Sequence, residues 1–292
     1  MKTKVLILGA SGMAGHVITI FLRSLSNKYD VLAIARSNSK ILPTFIFDIT
    51  DFDRLKKVVE EQEPHVIINC VGILNSNAED HPKEAILINS YFPHFLEDLT
   101  KDIKSKVIHI STDCVFSGEK GGYKENDKSD GIGFYAQTKS LGEIVNSKDL
   151  TIRTSIVGPD LDSSGIGLFN WFKNQRGEIT GYNSAFWSGV TTIELAKAID
   201  YLIENNITGL YHLTNAKKIS KYNLLKLFLE VFNDSEITNI KLSEEHKIDK
   251  SLINTRSEVK FEASSYQVMV KEMKNWVKRY YDFYPHYHQT GS

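Results

Sequence analysis

Val5-Leu6-Ile7-Leu8 runs directly into Gly9-Ala10-Ser11-Gly12-Met13-Ala14-Gly15, and that into His16-Val17-Ile18-Thr19-Ile20-Phe21-Leu22. The order is a short apolar strand, a turn with glycine at every third position, and an apolar helix. Such a unit opens a dinucleotide-binding fold. Gly9 permits the tight turn, Gly12 lets the backbone approach a pyrophosphate, and Gly15 lets the helix pack close to the strand. The helix N-terminus then offers unpaired N–H groups to phosphate oxygens. A βα turn without a ligand would carry the same glycines, so this stretch decides the fold before it decides a cofactor.

Working outward, apolar runs place strands at 30–35, 44–47, 66–71, 107–111 and 150–154. Helical patterns lie between them. One is started by Asp51 or Asp53 and ended at Pro64, one covers 81–103 with breaks at Pro82 and Pro93, and one covers 135–146. The alternation, with a nearly all-apolar run at 66–71, predicts an α/β fold with a doubly wound parallel sheet covered on both faces. Residues 116–133 are rich in Gly, Lys, Asp and Glu and read as an ordered surface loop. After residue 155 no period is sustained until a helix that Thr191 or Thr192 starts and that runs to about Glu204. A strand over 210–213, a helix capped by Ser220 and a last helix over 265–281 follow. The expected organisation is a dinucleotide-binding domain over 1–155 and a smaller, mixed, partly interleaved substrate lobe over 156–292. The lobe sits at the carboxyl edge of the sheet, where such sheets bind ligands. The tail after Tyr284 reads as a frayed end.

Bulk properties narrow the classes. The chain has 292 residues and a formal net charge of −1, which disfavours nucleic acid as a partner. Cys70 and Cys114 each fall in or just after a predicted strand, as expected of a reducing cytoplasmic setting rather than a disulfide framework. No apolar run reaches the roughly 18–20 residues of a membrane span. The four-residue apolar run before Gly9 is too short for a signal peptide. His65, His81, His94 and His109 show no metal-ligand spacing.

A reactive constellation follows the fifth predicted strand. Thr112 lies at its carboxyl end, and Tyr135 and Lys139, four apart, share one face of the next helix. Carbonyl reduction needs a proton donor beside a hydride donor. A free tyrosine, with a pKa of about 10, gives up its proton poorly at neutral pH, and a neighbouring Lys⁺ stabilises the phenolate. Tyr135 is then the general acid, Lys139 its support and a contact for the nicotinamide ribose, and Thr112 the hydroxyl that orients the carbonyl oxygen. The second strand ends in Ala35-Arg36-Ser37 without a carboxylate for a ribose 2′-hydroxyl, and Arg36 can pair with a 2′-phosphate. NADPH is the expected cofactor, with NADH the alternative.

The glycine spacing, the Ser-Thr at a strand end and the Tyr-x-x-x-Lys together resemble the extended short-chain dehydrogenases/reductases. Within them, Ser111-Thr112-Asp113-Cys114-Val115-Phe116-Ser117-Gly118 is similar to the corresponding stretch of dTDP-4-dehydrorhamnose reductases. Tyr123-x-Glu125-x-Asp127, Tyr135-x-x-x-Lys139-x-x-Gly142-Glu143 and Ile152-Arg153-Thr154-Ser155 continue the pattern. The resemblance implies a Rossmann fold, a nucleotide-sugar substrate, a role in surface polysaccharide precursors and a homodimer. It gives Thr112, Tyr135 and Lys139 catalytic roles. Gly9, Ser11, Gly12 and Met13 fall on the pyrophosphate loop, Asp48 and Ile49 near the adenine, and Cys70, Val71 and Gly72 under the cofactor. Asn69 is expected to hold its turn, and Asn89 to bond helix to strand. Asp113, Cys114, Val115, Ile156, Asn170 and Trp187 are the expected substrate-facing positions.

Two departures bear on the substrate. Ile156 stands where the dTDP-sugar reductases carry a tryptophan, and Trp187-Ser188-Gly189-Val190-Thr191 lacks their proline. The stretch from Asn170 to Gly177 mixes aromatics with cations and reads either as a nucleotide contact or as core with solvated charges. A UDP-linked 2-acetamido-2,6-dideoxy-4-ketohexose is therefore weighed beside dTDP-4-dehydrorhamnose. The competing functions are a nucleotide-sugar 4-epimerase or dehydratase, and a non-catalytic regulatory subunit that binds a dinucleotide. Cys114 after Asp113 removes a dehydratase's acid pair.

Overall fold

The strand that opens the chain lies inside the molecule because its side chains have somewhere apolar to go on both faces. In the computed structural model, which describes residues 1–233 and 236–287, β1 (Thr3–Leu8) sends Val5 and Ile7 into one core with Val17, Ile18 and Leu22. It sends Leu6 and Leu8 into another with Leu55, Val58, Phe92 and Leu96. Alternation across a pleated strand produces this division. The chain continues through α1 (Met13–Ser24), β2 (Tyr29–Ala35), β3 (Phe45–Ile46), α2 (Phe52–Gln62), β4 (Val66–Asn69) and α3 (Asn75–Asp80). Next come α4 (Pro82–Ala85), a π-helical stretch (Ile86–Tyr91), α5 (Phe92–Leu99), β5 (Lys106–Thr112), α6 (Phe134–Leu141) and β6 (Leu150–Thr154).

The lobe adds β7 (Ile156–Val157), α7 (Leu168–Lys173), β8 (Arg176–Tyr182), β9 (Ala185–Trp187), β10 (Val190–Thr191), α8 (Thr192–Glu204) and β11 (Gly209–His212). It ends with β12 (Ile219–Ser220), α9 (Lys221–Val231), β13 (Glu236–Ser243), β14 (Ile248–Asp249) and α10 (Tyr266–Arg279). Seven strands form one parallel sheet in the order β11-β6-β5-β4-β1-β2-β3. The direction of winding reverses between β1 and β4, which leaves a crevice at their carboxyl ends. The chain beyond residue 156 re-enters this sheet through β11, and α8 packs against α1.

Several boundaries differ from the sequence reading. The helix expected over 81–103 is continuous through Pro93 because a π-helical stretch precedes it. In an α register the Pro93 ring would meet the carbonyl of Asn89, and the wider turn avoids that clash. The helix expected to reach residue 146 stops at Leu141. Gly142 passes so close to Asn89 that an added Cβ would lie 1.8 Å from its carbonyl oxygen. β8 pairs in parallel with β13, a pairing the sequence did not announce. Only Ile179, Gly181, Ile237 and Ile240 along these two strands are buried, too few to carry a period.

The tail is a correction. Up to Tyr287 it is docked rather than frayed. Tyr284 is fully buried, donates its hydroxyl proton to His16 Nε2 at 2.8 Å and accepts from Trp276 Nε1 at 2.9 Å. Tyr287 accepts the backbone N–H of Asp160 at 2.9 Å. Residues 288–292, the rest of that tail, lie outside the described residues.

Candidate active site

The crevice holds a cleft of about 530 Å³ at the carboxyl ends of β1, β4, β5 and β6. The glycine loop forms its floor. Gly9 has φ +78°, and its carbonyl accepts the N–H of Gly12 at 3.0 Å. A Cβ on Gly15 would lie 2.1 Å from the Gly9 oxygen, so only glycine lets α1 start this close to β1. Gly12 is the N-cap of α1 and makes no side-chain cap bond, which leaves the first N–H groups of the helix open. His16, one turn in, is fully buried. It bonds Gly12 O through Nδ1 at 2.9 Å and Tyr284 through Nε2, and burial pulls its pKa down to about 4.

Thr112, Tyr135 and Lys139 all line the cleft. Thr112 accepts the N–H of Cys114 at 3.1 Å, which fixes the turn beyond β5. Asp113 is buried beside it, and burial raises its carboxyl pKa against the pull of Lys250. The α6 helix is aimed by Glu79 of α3, whose two carboxylate oxygens accept the N–H groups of Phe134 and Tyr135 at 3.1 Å each. Burial raises the Tyr135 phenol above its ordinary value, with the nearby Thr112 hydroxyl pulling the other way. Lys139 is not among the groups that shift the phenol in this arrangement. Lys139 is withdrawn instead, donating to Ile110 O at 2.8 Å and lying 3.2 Å from His109 Nε2. Burial brings its own pKa down to about 8, against Glu143 and Cys70. Glu143 in turn takes two bonds of 2.7 Å from Arg153 and one of 2.7 Å from Ser111.

Most of the expected cofactor and substrate positions converge here. Gly12, Met13, Cys70, Val71, Gly72, Asp113, Cys114, Ile156 and Trp187 face the cleft. Burial pushes the thiols of Cys70 and Cys114 up to about 12 and about 11, so neither is a nucleophile near neutral pH. Asn69 holds the turn after β4 by accepting the Val71 N–H at 3.1 Å. Asn89 bonds both the N–H and the carbonyl of Ile73 at 2.8 Å. Gly9 and Ser11 lie in the loop beneath. Arg36 and Asp48 stand exposed near one another beyond β2 and β3, where Arg36 helps hold the Asp48 carboxyl low after its bonds to Thr50.

Three other expected positions are buried away from the cleft. Ile49 is buried in the core beside α2. Val115 is buried with Phe116, Tyr123 and Leu252. Asn170 is fully buried and donates to the carbonyls of Ser163 at 2.9 Å and Gly165 at 2.6 Å, bracing the loop before α7. Around it Phe172 is core and Arg176 pairs with Glu236 across β8 and β13, while Trp171 is partly exposed. Conversely Asp160, Ile166, Leu168 and Lys221 line the cleft without having been singled out. They come from irregular segments or helix starts where no spacing marks them. Glu79 carries no signal either, since it acts 56 residues away.

Residues 3–278 match the family model described as the RmlD substrate binding domain. The chain belongs to this family. Proteins similar to it include a dTDP-4-keto-6-deoxy-D-glucose reductase of Streptomyces niveus, 26% identical over 78% of each chain. Another is the methionine adenosyltransferase 2 subunit beta of Xenopus tropicalis, 24% identical over 79% of this chain and 72% of that one. The crystal structure of a dTDP-4-dehydrorhamnose reductase from Bacillus anthracis, in complex with NADP, superposes with a TM-score of 0.80 at 22% identity. It covers 94% of this chain and all of that one. The family's fold is the doubly wound sheet described above. No helix among the described residues is long and apolar enough to cross a membrane.

Proposed function

We propose that this protein is an NADPH-dependent reductase of the C4 ketone in a nucleotide-diphospho-4-keto-6-deoxysugar. The observation that carries the reading is the convergence of Thr112, Tyr135 and Lys139 on one cleft floored by a glycine loop. The reductase names among its relatives and the NADP in a structure of the same fold support it. The residues fit a dinucleotide. The uncapped start of α1 is open to a pyrophosphate, the Gly9–Gly15 approach leaves no room for a Cβ, and Arg36 stands exposed where a 2′-phosphate would be met.

When bound, the nicotinamide supplies the hydride that reaches the ketone carbon. The protein supplies the proton. Tyr135, protonated because it is buried, donates it to the ketone oxygen, while the Thr112 hydroxyl bonds the same oxygen and holds it in line. The remaining phenolate is stabilised by an ammonium on Lys139. The product is the C4 alcohol, a precursor for surface glycans. Both a dTDP-linked deoxysugar and a UDP-linked 2-acetamido-2,6-dideoxy sugar suit the chemistry, and the wall at Ile156 and Trp187 is where they would be told apart.

The second reading, a regulatory dinucleotide-binding subunit, draws on the likeness to methionine adenosyltransferase 2 subunit beta. The test is NADPH oxidation followed by absorbance against dTDP- and UDP-linked 4-keto-6-deoxysugars made in place by dehydratases. Turnover with one series, abolished in Tyr135→Phe, is the expected result. NADPH binding with no turnover on any of them would sink the reductase and favour the subunit.

A further inference from the structure

The hydrogen bonds behind Lys139 have only one self-consistent direction. The backbone N–H of Val71 can only donate, and it meets Asn69 Oδ1 at 3.1 Å. The buried Asn69 amide is thereby oriented, and its Nδ2 donates to His109 Nδ1 at 3.1 Å. His109 Nδ1 is an acceptor, so a neutral imidazole must carry its proton on Nε2. His109 is fully buried and burial drives its pKa well below the ordinary range, so the neutral ring is the form present. The Nε2–H points at Lys139 Nζ, 3.2 Å away. An ammonium has three donors and no lone pair and cannot accept that bond. A neutral amine can, while still donating to Ile110 O at 2.8 Å.

From this chain of bonds we propose that His109 is a positioning residue that parks Lys139 as a neutral amine against β5, and that protonation of Lys139 releases it toward Tyr135. The groups facing Lys139 are Cys70 beyond β4, Glu143 beyond α6 with its partner Arg153 on β6, and Tyr135 on its own helix. Asp113 and Cys114 face Tyr135, and His94 of α5 acts on His109. Glu143 favours the ammonium. Burial and the Nε2–H of His109 both oppose it. The charged amine would turn an N–H against the ring N–H, so the contact opens when a proton from solvent arrives. The balance is simple: Lys139 gains one proton from water and His109 neither gains nor loses one. The kinetic part rests on the reading of Tyr135 and Lys139 as the reacting pair, whereas the proton arrangement does not.

The experiment uses the full chain without cofactor, isotopically labelled at histidine and lysine. Long-range ¹H–¹⁵N NMR reads the tautomer of His109, and the Lys139 side-chain resonances are titrated. The expected result is the Nε2–H tautomer, with Lys139 titrating near 8, so that the parked neutral amine dominates above that pH. In His109→Gln, whose amide oxygen accepts from an ammonium, the midpoint moves up by about one pH unit or more. The alkaline limb of kcat/KM follows it. An Nδ1–H tautomer, or a Lys139 still charged at pH 9, overturns the proposal. The tautomer is read on the native protein, so a poorly folding variant leaves the proposal fully exposed to that result. Failure of the NMR prediction in an enzyme that turns over removes only this inference. Absent turnover with the NMR result intact removes only the reductase.

Discussion

The two walls of the cleft are built differently. On the sheet side, each residue proposed to react is held by a directional hydrogen bond. Thr112 is held by the Cys114 N–H, the start of α6 by Glu79, and Lys139 by Ile110 O. On the lobe side, the cleft is lined by the apolar Ile156, Ile166, Leu168 and Trp187 and by the exposed Lys221. Trp187 rests on Tyr266 with ring centroids 5.5 Å apart, and Ile166 is 62% exposed. A wall held by directional bonds tolerates little change, and a wall held by packing can be resurfaced for another sugar without disturbing the chemistry.

That contrast can be broken most sharply at Tyr135. Tyr135→Phe removes one hydroxyl from the bonded wall, and kcat is expected to fall by about 10²–10⁴ while the melting temperature stays put. Residual turnover close to wild type would show that the bonded wall is not the reactive one. The next largest effect is on acid stability. His16 is neutral in the fold and has a pKa of about 4, against 6.5 in a free chain. As pH falls from 6.5 to 4 the unfolded chain takes a proton that the native one refuses, so stability falls, by about 3 kcal/mol from this group. His109 adds to the loss in the same direction. Melting curves against pH should slope less steeply in His16→Gln, and identical slopes would contradict the assignment.

Gly15→Ala pushes a methyl group onto the Gly9 carbonyl. A loss of about 1–3 kcal/mol in stability, with weaker NADPH binding by calorimetry, is expected. Glu79→Ala unties the start of α6 and should cost about 0.5–2 kcal/mol together with part of kcat, since it removes an N-terminal cap rather than a reacting group. A variant with unchanged denaturation and kinetics would show that α6 is aimed by packing after all. The smallest effect belongs to the packed wall. Lys221→Ala should raise KM for the nucleotide sugar a few-fold, about 1 kcal/mol or less, and leave kcat and the NADPH KM unchanged. A fall in kcat there would erase the distinction between the walls.

The bonded wall was also the more legible one. Gly9, Gly12 and Gly15 announce a turn because their reasons are local, and Tyr135 and Lys139 share a face by helical spacing alone. Thr112 is placed by the end of an apolar run. What supports them could not be read in the same way. Glu79 reaches α6 across 56 residues, and His109 meets Lys139 across 30, contacts that only the folded sheet creates. Val115 and Ile49 sit one step from neighbours proposed to be functional but are buried in cores, which a motif match does not distinguish. Asn170 lies in a stretch rich in aromatics and cations, a composition that suits a ligand site and a braced loop equally well. The β8–β13 pair escaped because its buried residues are sparse and the two strands lie far apart in the chain.

The bond between His16 and Tyr284 joins residues 268 positions apart. During synthesis the glycine loop emerges early, and its helix then lacks the hydroxyl that satisfies His16 until those 268 residues have followed. At about 5–20 residues per second the interval is roughly 13–54 s. A chain cut short before Tyr284 would leave the buried His16 Nε2 without this partner.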